Sequence, residues 1–254
     1  FESKIQQNTK VIYIETPSNP LLTITDMKAV SKLAKAKGVV TMIDNTFASP
    51  INQTPIDFGI DIVIHSATKY MGGHSDILAG AVAASDEHID KIWNVAKNLG
   101  GSLSDFTVWM LERSLKTLNL RVKRQSKNAL KMAKYLVKNE NIETVYYPGL
   151  KTHLDHALAK KQMKFFGGMM SFELKEGIDA MDFKNNLQLI KSSMSLAGVE
   201  STMLNPTKTS HALLSSEERE NQGIKDGLIR FSVGIEETKD LIADIEQALQ
   251  KVKQ

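Results

Sequence analysis

Apolar and polar positions divide the chain into three stretches. In the first, short apolar blocks alternate with a longer amphipathic one. "KVIYIETP", residues 10–17, reads as a buried strand halted by Pro17 and Pro20, because proline cannot donate to a sheet ladder. "TDMKAVSKLAKAKG" carries Met27, Val30, Leu33 and Ala34 at the spacing of one helix face, with Thr25 as the expected cap and Gly38 as the stop. "VVTMIDNT", residues 39–46, and "DIVIHS", residues 61–66, predict two more buried strands, and "AGAVAAS", residues 79–85, a small-residue one. Strand, helix and strand joined by short connections predict parallel pairing in an α/β sheet.

The second stretch, residues 104–138, predicts one or two long helices that start at a Ser104 cap and link two domains. In the third, "ETVYYPG", "GGMMSFEL" and "GLIRFSVGIE" are strand-like, whereas "DAMDFKNNLQLI" and "TKDLIADIEQALQKVKQ" are helix-like. The expected organisation is an α/β domain over residues 1–117 with a mostly parallel sheet, then an α+β domain over 118–254 that includes the linking helix. Leu241, Ile245 and Leu249 of the terminal helix form a packing face and Met169 and Met170 are expected in the core.

Composition narrows the function classes. The chain has 254 residues, 42% hydrophobic and 24% charged, and a net charge of +3 from 32 basic and 29 acidic residues. That balance points away from nucleic acid and from an acidic membrane surface. The absence of cysteine excludes disulfides, thiolate metal sites and a cysteine nucleophile, and fits a cytoplasmic protein. No apolar run reaches the ~18 residues of a membrane span. The six histidines show no metal-ligand spacing, so no metal is expected at His74 and Asp76. "LGGSLSD" lacks the GxGxxG spacing of a dinucleotide loop. The opening "FESKIQQNTK" has no initiator Met, and the chain is expected to be part of a longer protein.

Ligands of open α/β sheets sit at the carboxyl ends of the strands. The three best strands end in "ETPSNP", "DNTF" and "HSATKY", which offer Asn19, Asp44, Thr46, Ser66, Thr68 and Lys69 at one rim. A carboxylate, two hydroxyls and an amine match what pyridoxal phosphate requires. Lys69 would form the Schiff base, Asp44 would pair with the pyridinium nitrogen, and Ser66 and Thr68 would hold phosphate oxygens. A lysine that attacks an aldehyde must be neutral, which partial desolvation favours. Gly72 and Gly73 let the chain turn tightly beside such a group. Taken singly, these residues also fit blander roles: a helix-capping Asp, turn-forming hydroxyls and a solvated lysine. A sugar-phosphate or nucleotide module using the same strand ends also remains open.

"VIYIETPSNP", "MIDNTFASP", "DIVIHSATKYMGGHSDILAGAV" and "LIRFSVGIE", in this order across essentially the whole chain, resemble the Cys/Met-metabolism (trans-sulfuration) family of pyridoxal-phosphate enzymes. The family comprises cystathionine γ-synthase, the cystathionine β- and γ-lyases, methionine γ-lyase and the O-acylhomoserine sulfhydrylases. The resemblance implies a PLP-dependent transferase fold (aspartate aminotransferase-like, fold type I). It places the Schiff-base lysine on Lys69, phosphate-binding hydroxyls on Ser66 and Thr68, and the pyridinium partner on Asp44. Thr46 would pack against the cofactor ring and Asn19 would sit near its phenolic oxygen. Arg230 would grip the substrate α-carboxylate bidentately, with Ser195 of "MSLAGVES" nearby. Where the family usually has two glycines after "SL", this chain has Ala197 and Gly198.

The implied substrates are small amino acids: cystathionine, a homoserine ester, cysteine or methionine. Arg230 would hold the carboxylate, Lys69 would act as base at the α-carbon, and a C–S or C–O bond at Cβ or Cγ would break. The expected activity is of cystathionine γ-lyase or γ-synthase type. Cystathionine β-lyase, methionine γ-lyase and O-acylhomoserine sulfhydrylase are the alternatives, and a non-catalytic fragment unable to hold the cofactor is a reading of another class. The resemblance also implies a homotetramer, a dimer of dimers. Family members carry further N-terminal cofactor contacts, a phosphate loop and a stacking tyrosine among them, which cannot be found here. His65 is expected to be structural, and His211 to belong to what resembles the family's substrate-entry loop.

Overall fold

In a computed structural model, residues 1–210 and 212–252 are described; His211 lies outside them. The first half holds strands β1 (Val11–Glu15), β2 (Val40–Asp44), β3 (Ile62–Ser66) and β4 (Gly80–Ala84). They form one sheet in the order β1-β2-β3-β4, with β1, β2 and β3 parallel and β4 antiparallel to β3. Helix α1 (Met27–Lys37) makes the crossover from β1 to β2, and the short α2 (Ser49–Asn52) follows β2. Parallel neighbours need a crossover, whereas an antiparallel pair does not. The β3–β4 connection is therefore free to stay at the rim, and it carries Lys69.

Alternation along these strands sorts their side chains onto two faces. Ile12, Ile14, Ile43 and Val63 pack with Met27, Val30 and Ala34 of α1. On the other face Val11 is 43%, Tyr13 54% and Val82 41% exposed, and Val40, Met42 and Ile64 are half-buried. These strands were expected to be buried on both faces, as their continuous apolar runs suggest. The face under α1 is covered, whereas the opposite face is closed at Ile62 but open at Val11, Tyr13 and Val82 among the described residues. The cap of α1 also differs from expectation. Asp26 rather than Thr25 accepts the first free amide, Ala29 N at 2.9 Å, and Gly38 closes the helix at φ 65°.

Three longer helices follow: α3 (Asp86–Leu99), α4 (Asp105–Leu115) and α5 (Leu118–Leu136). The stretch 104–138 is thus two helices, and Ser104 caps the first through a bond from Thr107 N at 3.2 Å. The second half continues with β5 (Ile142–Tyr146), α6 (His156–Gln162), β6 (Met169–Leu174), α7 (Ala180–Asn185), β7 (Lys191–Ser192), β8 (Thr202–Leu204), α8 (Ser216–Asn221), β9 (Leu228–Ser232) and α9 (Thr238–Val252). Its sheet runs β5-β6-β9-β8-β7, antiparallel apart from the β7–β8 pair. The expected helix over 179–190 ends at Asn185. The Asp244 carboxylate on α9 takes the amides of Gln188, Leu189 and Ile190 at 2.8, 3.0 and 2.8 Å, which leads the chain into β7 instead.

The main core lies between this sheet and helices α5 and α9, with Met132, Phe172, Phe183, Phe231, Leu241, Ile245 and Leu249 buried. Met170 belongs to it, and Met169 to a smaller cluster with Leu22, Phe47, Tyr70, Leu118 and Val122. That cluster joins the two halves beneath the Lys69 turn. Phe172 has no exposed surface and meets Phe183 edge-on, with ring centroids 6.3 Å apart. Truncation to Phe172→Ala is expected to cost about 3–5 kcal/mol, read as a lowered urea midpoint; a loss under about 1 kcal/mol would contradict this core assignment.

Candidate functional site

The parallel register brings the carboxyl ends of β1, β2 and β3 to one rim, where Glu15 pairs with Asp44 in register and Asp44 with Ile64. Beyond β2 the backbone turns under its own side chains. Thr46 N donates to Asp44 Oδ1 at 2.8 Å, and Ser66 N donates to Thr46 Oγ1 at 2.8 Å. The buried Thr46 hydroxyl therefore ties the end of β3 to the turn after β2. Asn45 N adds a bond to Ile64 O at 2.9 Å.

Lys69 sits in a compact turn directly after β3. Lys69 N donates to Ser66 O at 3.0 Å, Gly72 N to Ala67 O at 2.7 Å and Gly73 N to Lys69 O at 2.7 Å. Partial burial, and then the like charge of Arg230, hold the Lys69 amine below the ordinary lysine range. Burial pushes Arg230 down to about 10. Arg230 stands on β9, donating from Nη2 to Met194 O at 2.9 Å and from Nη1 to Asn19 Oδ1 at 3.3 Å. Asn19 N in turn donates to Glu15 Oε1 at 3.1 Å. A cavity of about 560 Å³ opens beside the lysine, with Thr68, Lys69, Ile77, Met194 and Ser195 in its wall.

Asn19, Asp44, Thr46, Ser66, Thr68 and Lys69 stand at or just beyond the ends of β1, β2 and β3, and the second half of the chain brings Ser195 and Arg230 towards them. Lys69, Thr68 and Ser195 share the cavity, and Arg230 is tied to its wall through Met194 O. Asp44, Thr46 and Ser66 form the adjoining stretch of rim, with Asp44 on the uncovered face. The Thr68 hydroxyl is already engaged, donating to Ala79 O at 3.2 Å and accepting from Ala79 N at 2.9 Å. By contrast, the Ser66 hydroxyl, Asp44 Oδ2 and the Lys69 amine have no hydrogen-bond partner among the described residues.

Sequence reasoning passed over Glu15. Its carboxyl is raised by desolvation at the rim and by Asp44, against the lowering effect of the Asn19 amide. The signal was present, an acid at the last position of a strand that ends at the site. His65 is buried, and desolvation lowers its pKa against the opposing charge of Asp44. Among the described residues no group of three or more His, Asp or Glu side chains is placed to hold a metal ion, and no helix is long and apolar enough to cross a membrane.

The family described as Cys/Met metabolism PLP-dependent enzyme matches residues 1–250. The chain belongs to this family. It is 47% identical over 252 residues to a cystathionine β-lyase of Lactococcus lactis subsp. cremoris, covering 99% of this chain and 66% of that protein. It is 45% identical over 255 residues to an L-methionine γ-lyase of Fusobacterium nucleatum subsp. polymorphum, covering 99% and 65%. Among solved structures, a cystathionine γ-lyase from Lactobacillus plantarum complexed with L-serine superposes with a TM-score of 0.97 at 43% identity, over 99% of this chain and 66% of that one. A cystathionine γ-synthase from Xanthomonas oryzae pv. oryzae, in complex with aminoacrylate and cysteine, gives 0.93 at 44% identity, over 96% and 64%. The chain therefore spans just under two thirds of the length of these relatives. Its α/β half, followed by the mostly antiparallel second sheet, has the fold type I arrangement of PLP-dependent enzymes.

The coupling between Arg230 and Lys69 is open to measurement. Removing the guanidinium in Arg230→Met takes away a like charge that disfavours the ammonium, so the Lys69 pKa should rise while burial still holds it below the ordinary value. The pH dependence of amine-specific labelling at Lys69, followed by mass spectrometry without cofactor, reports it. A midpoint that stays put or falls would contradict the coupling.

Proposed function

We propose that this chain binds pyridoxal 5′-phosphate at Lys69 and belongs to an enzyme of cystathionine γ-lyase or γ-synthase type, acting on cystathionine or a homoserine ester. The observation that carries this reading is Lys69 itself: an amine of lowered pKa, at the rim of a parallel sheet, beside a cavity and coupled to a buried arginine. The open valences at the rim fit the cofactor's three demands. The Lys69 amine suits the aldehyde, the Ser66 hydroxyl a phosphate oxygen and the Asp44 carboxylate the ring nitrogen. Thr68 would donate to a phosphate oxygen only by turning its hydroxyl proton away from Ala79 O. Its role there is therefore secondary to that of Ser66, unless the hydroxyl turns. Thr46 supports the ring side of the pocket by fixing the Asp44 turn, and Asn19 stands where Arg230 can position it.

When bound, the cofactor supplies an electron sink for negative charge developing at a substrate α-carbon. The protein does the rest. Arg230 keeps N–H groups beyond those given to Met194 and Asn19, and its fork matches a carboxylate bidentately. Ser195 adds a hydroxyl in the same cavity wall. A neutral Lys69 amine takes the α-proton and returns it further along the substrate, and its lowered pKa enlarges the neutral fraction available for this. The preference for γ-chemistry rests on the "GVES…TSHALLS" context of the sequence; the β-lyase, methionine γ-lyase and O-acylhomoserine sulfhydrylase readings use the same residues. We divide the chain into residues 1–117 and 118–254 as the two domains. We also place the protein in the cytoplasm and in a homotetramer built as a dimer of dimers. Trp93, Phe106 and Trp109 on α3 and α4 stand exposed, and apolar surface of this kind suits contact with another polypeptide.

A second reading, a chain that folds without holding the cofactor, is favoured by the uncovered face on which Asp44 lies. Visible absorbance separates the two, since a lysine-bound cofactor absorbs and a fragment unable to hold it does not. In Lys69→Ala that absorbance should vanish and turnover should fall by about 10²- to 10⁴-fold or more; retained turnover would refute the assignment. With cystathionine as substrate, 2-oxobutyrate as the main oxo acid supports γ-chemistry and pyruvate supports the β-lyase alternative. Sedimentation at the mass of four chains is expected, and a monomer would contradict the tetramer.

A further inference from the structure

Arg121, one turn into α5, is 5% exposed and carries a guanidinium with no carboxylate partner among the described residues. Burial pushes its pKa down, as an unpaired charge requires. Its donors go to neutral oxygens: Nε to Thr117 Oγ1 at 3.0 Å, Nη1 to Tyr70 O at 2.7 Å, and Nη2 to Met71 O at 3.2 Å and Ser114 O at 2.9 Å. Four of the five N–H groups of a guanidinium are thereby used, so little is left to bind a ligand. Two of the acceptors are consecutive carbonyls immediately after Lys69. They close the carboxyl end of the lysine turn, where positive charge is favoured.

The fit requires a close approach at Gly73. This residue has φ 73°, and a Cβ there would collide with Arg121 Nη1. Other bonds hold the same turn against the second half of the chain. Gly168 N donates to the Tyr70 hydroxyl at 3.1 Å, Val199 N to Gly73 O at 3.0 Å and Ser75 Oγ to Glu200 Oε1 at 2.8 Å. Gly168 leads into β6, which pairs with β9 through Ser171 and Arg230. The peptide planes that follow Lys69 are therefore set from the layer that carries Arg230.

From this geometry we infer that Arg121 is a positioning residue: its fork on the Tyr70 and Met71 carbonyls sets where the Lys69 amine stands relative to Arg230. The inference rests on Lys69 as the cofactor-bearing amine. A neutral donor could satisfy one carbonyl, but spanning two successive ones takes the planar fork, which a lysine ammonium lacks. A displaced amine costs rate more than binding, because Arg230 still grips the carboxylate.

The test uses the protein loaded with pyridoxal phosphate. In Arg121→Lys, kcat should fall by roughly 10- to 100-fold with KM within about threefold, the range expected of a misplaced catalytic group. The pH midpoint of the visible cofactor absorbance should shift, and the amides of residues 69–73 should exchange faster with deuterium. Gly73→Ala keeps the charge but drives a methyl into Nη1, and it should reproduce the kcat loss and the midpoint shift. That variant decides the matter if Arg121→Lys does not fold. Unchanged kcat and midpoint with only a lower Tm would reduce Arg121 to a structural contact and overturn the inference. A wild-type protein without a visible band would instead sink the cofactor reading, and this inference with it.

Discussion

The parallel register of β1, β2 and β3 is the constraint on which the site depends. Parallel strands all end on the same side, so the chain leaves Glu15, Asp44 and Ser66 at one rim whatever their distance in sequence. The antiparallel pair of this first sheet, β3 with β4, lets the Lys69 turn stay at that rim instead of being carried away by a crossover helix. A slip of one residue in β2 would turn Asp44 to the α1 face and put Ile43 in its place. The buried row of Ile12, Ile14, Ile43 and Val63 prevents that slip, so the core beneath α1 also fixes the chemistry above it.

The second half contributes by clasping this rim. Arg230 bonds to Asn19, more than two hundred residues away in the chain, and Ser171 Oγ donates to Pro20 O at 2.7 Å. Tyr70 and Arg121 make corresponding ties on the other side of the lysine. The two sheets are joined through the loops that carry the site residues, and the packing cluster of Leu22, Phe47, Tyr70 and Val122 lies directly beneath. Lys69 and Arg230, borne by different sheets, are thereby held close enough to influence each other's charge.

Much of this was legible in the residues themselves. Apolar blocks ending in "ETPSNP", "DNTF" and "HSATKY" marked three strands and their rim, because a buried strand and a polar turn contrast sharply in composition. Helix α3 was passed over although Ile89, Ile92, Trp93 and Ala96 recur at helical spacing and Gly100 stands at its end. The short α6, β7 and β8 carry too few periods to announce themselves, and β7 owes its start to Asp244 on a distant helix. Arg121 was invisible for a related reason: in "NLRVKRQ" it reads as one more solvated helix cation, and only tertiary contact shows that it is buried. The engagement of Thr68 with Ala79 depends likewise on the β3–β4 pairing.

The uncovered face of the first sheet has an electrostatic consequence. Asp44 stands on it, so the medium through which its charge acts is set by whatever lies over Tyr13, Met42 and Ile64. Two unit charges 4 Å apart attract by about 1 kcal/mol across bulk water and by about 4 kcal/mol at an effective dielectric constant of 20. Without moving an atom of Asp44, a covering layer that displaces water would multiply the acid's hold on a neighbouring cation several-fold. The sheet places the charge, and the dielectric above it determines how strongly that charge is felt.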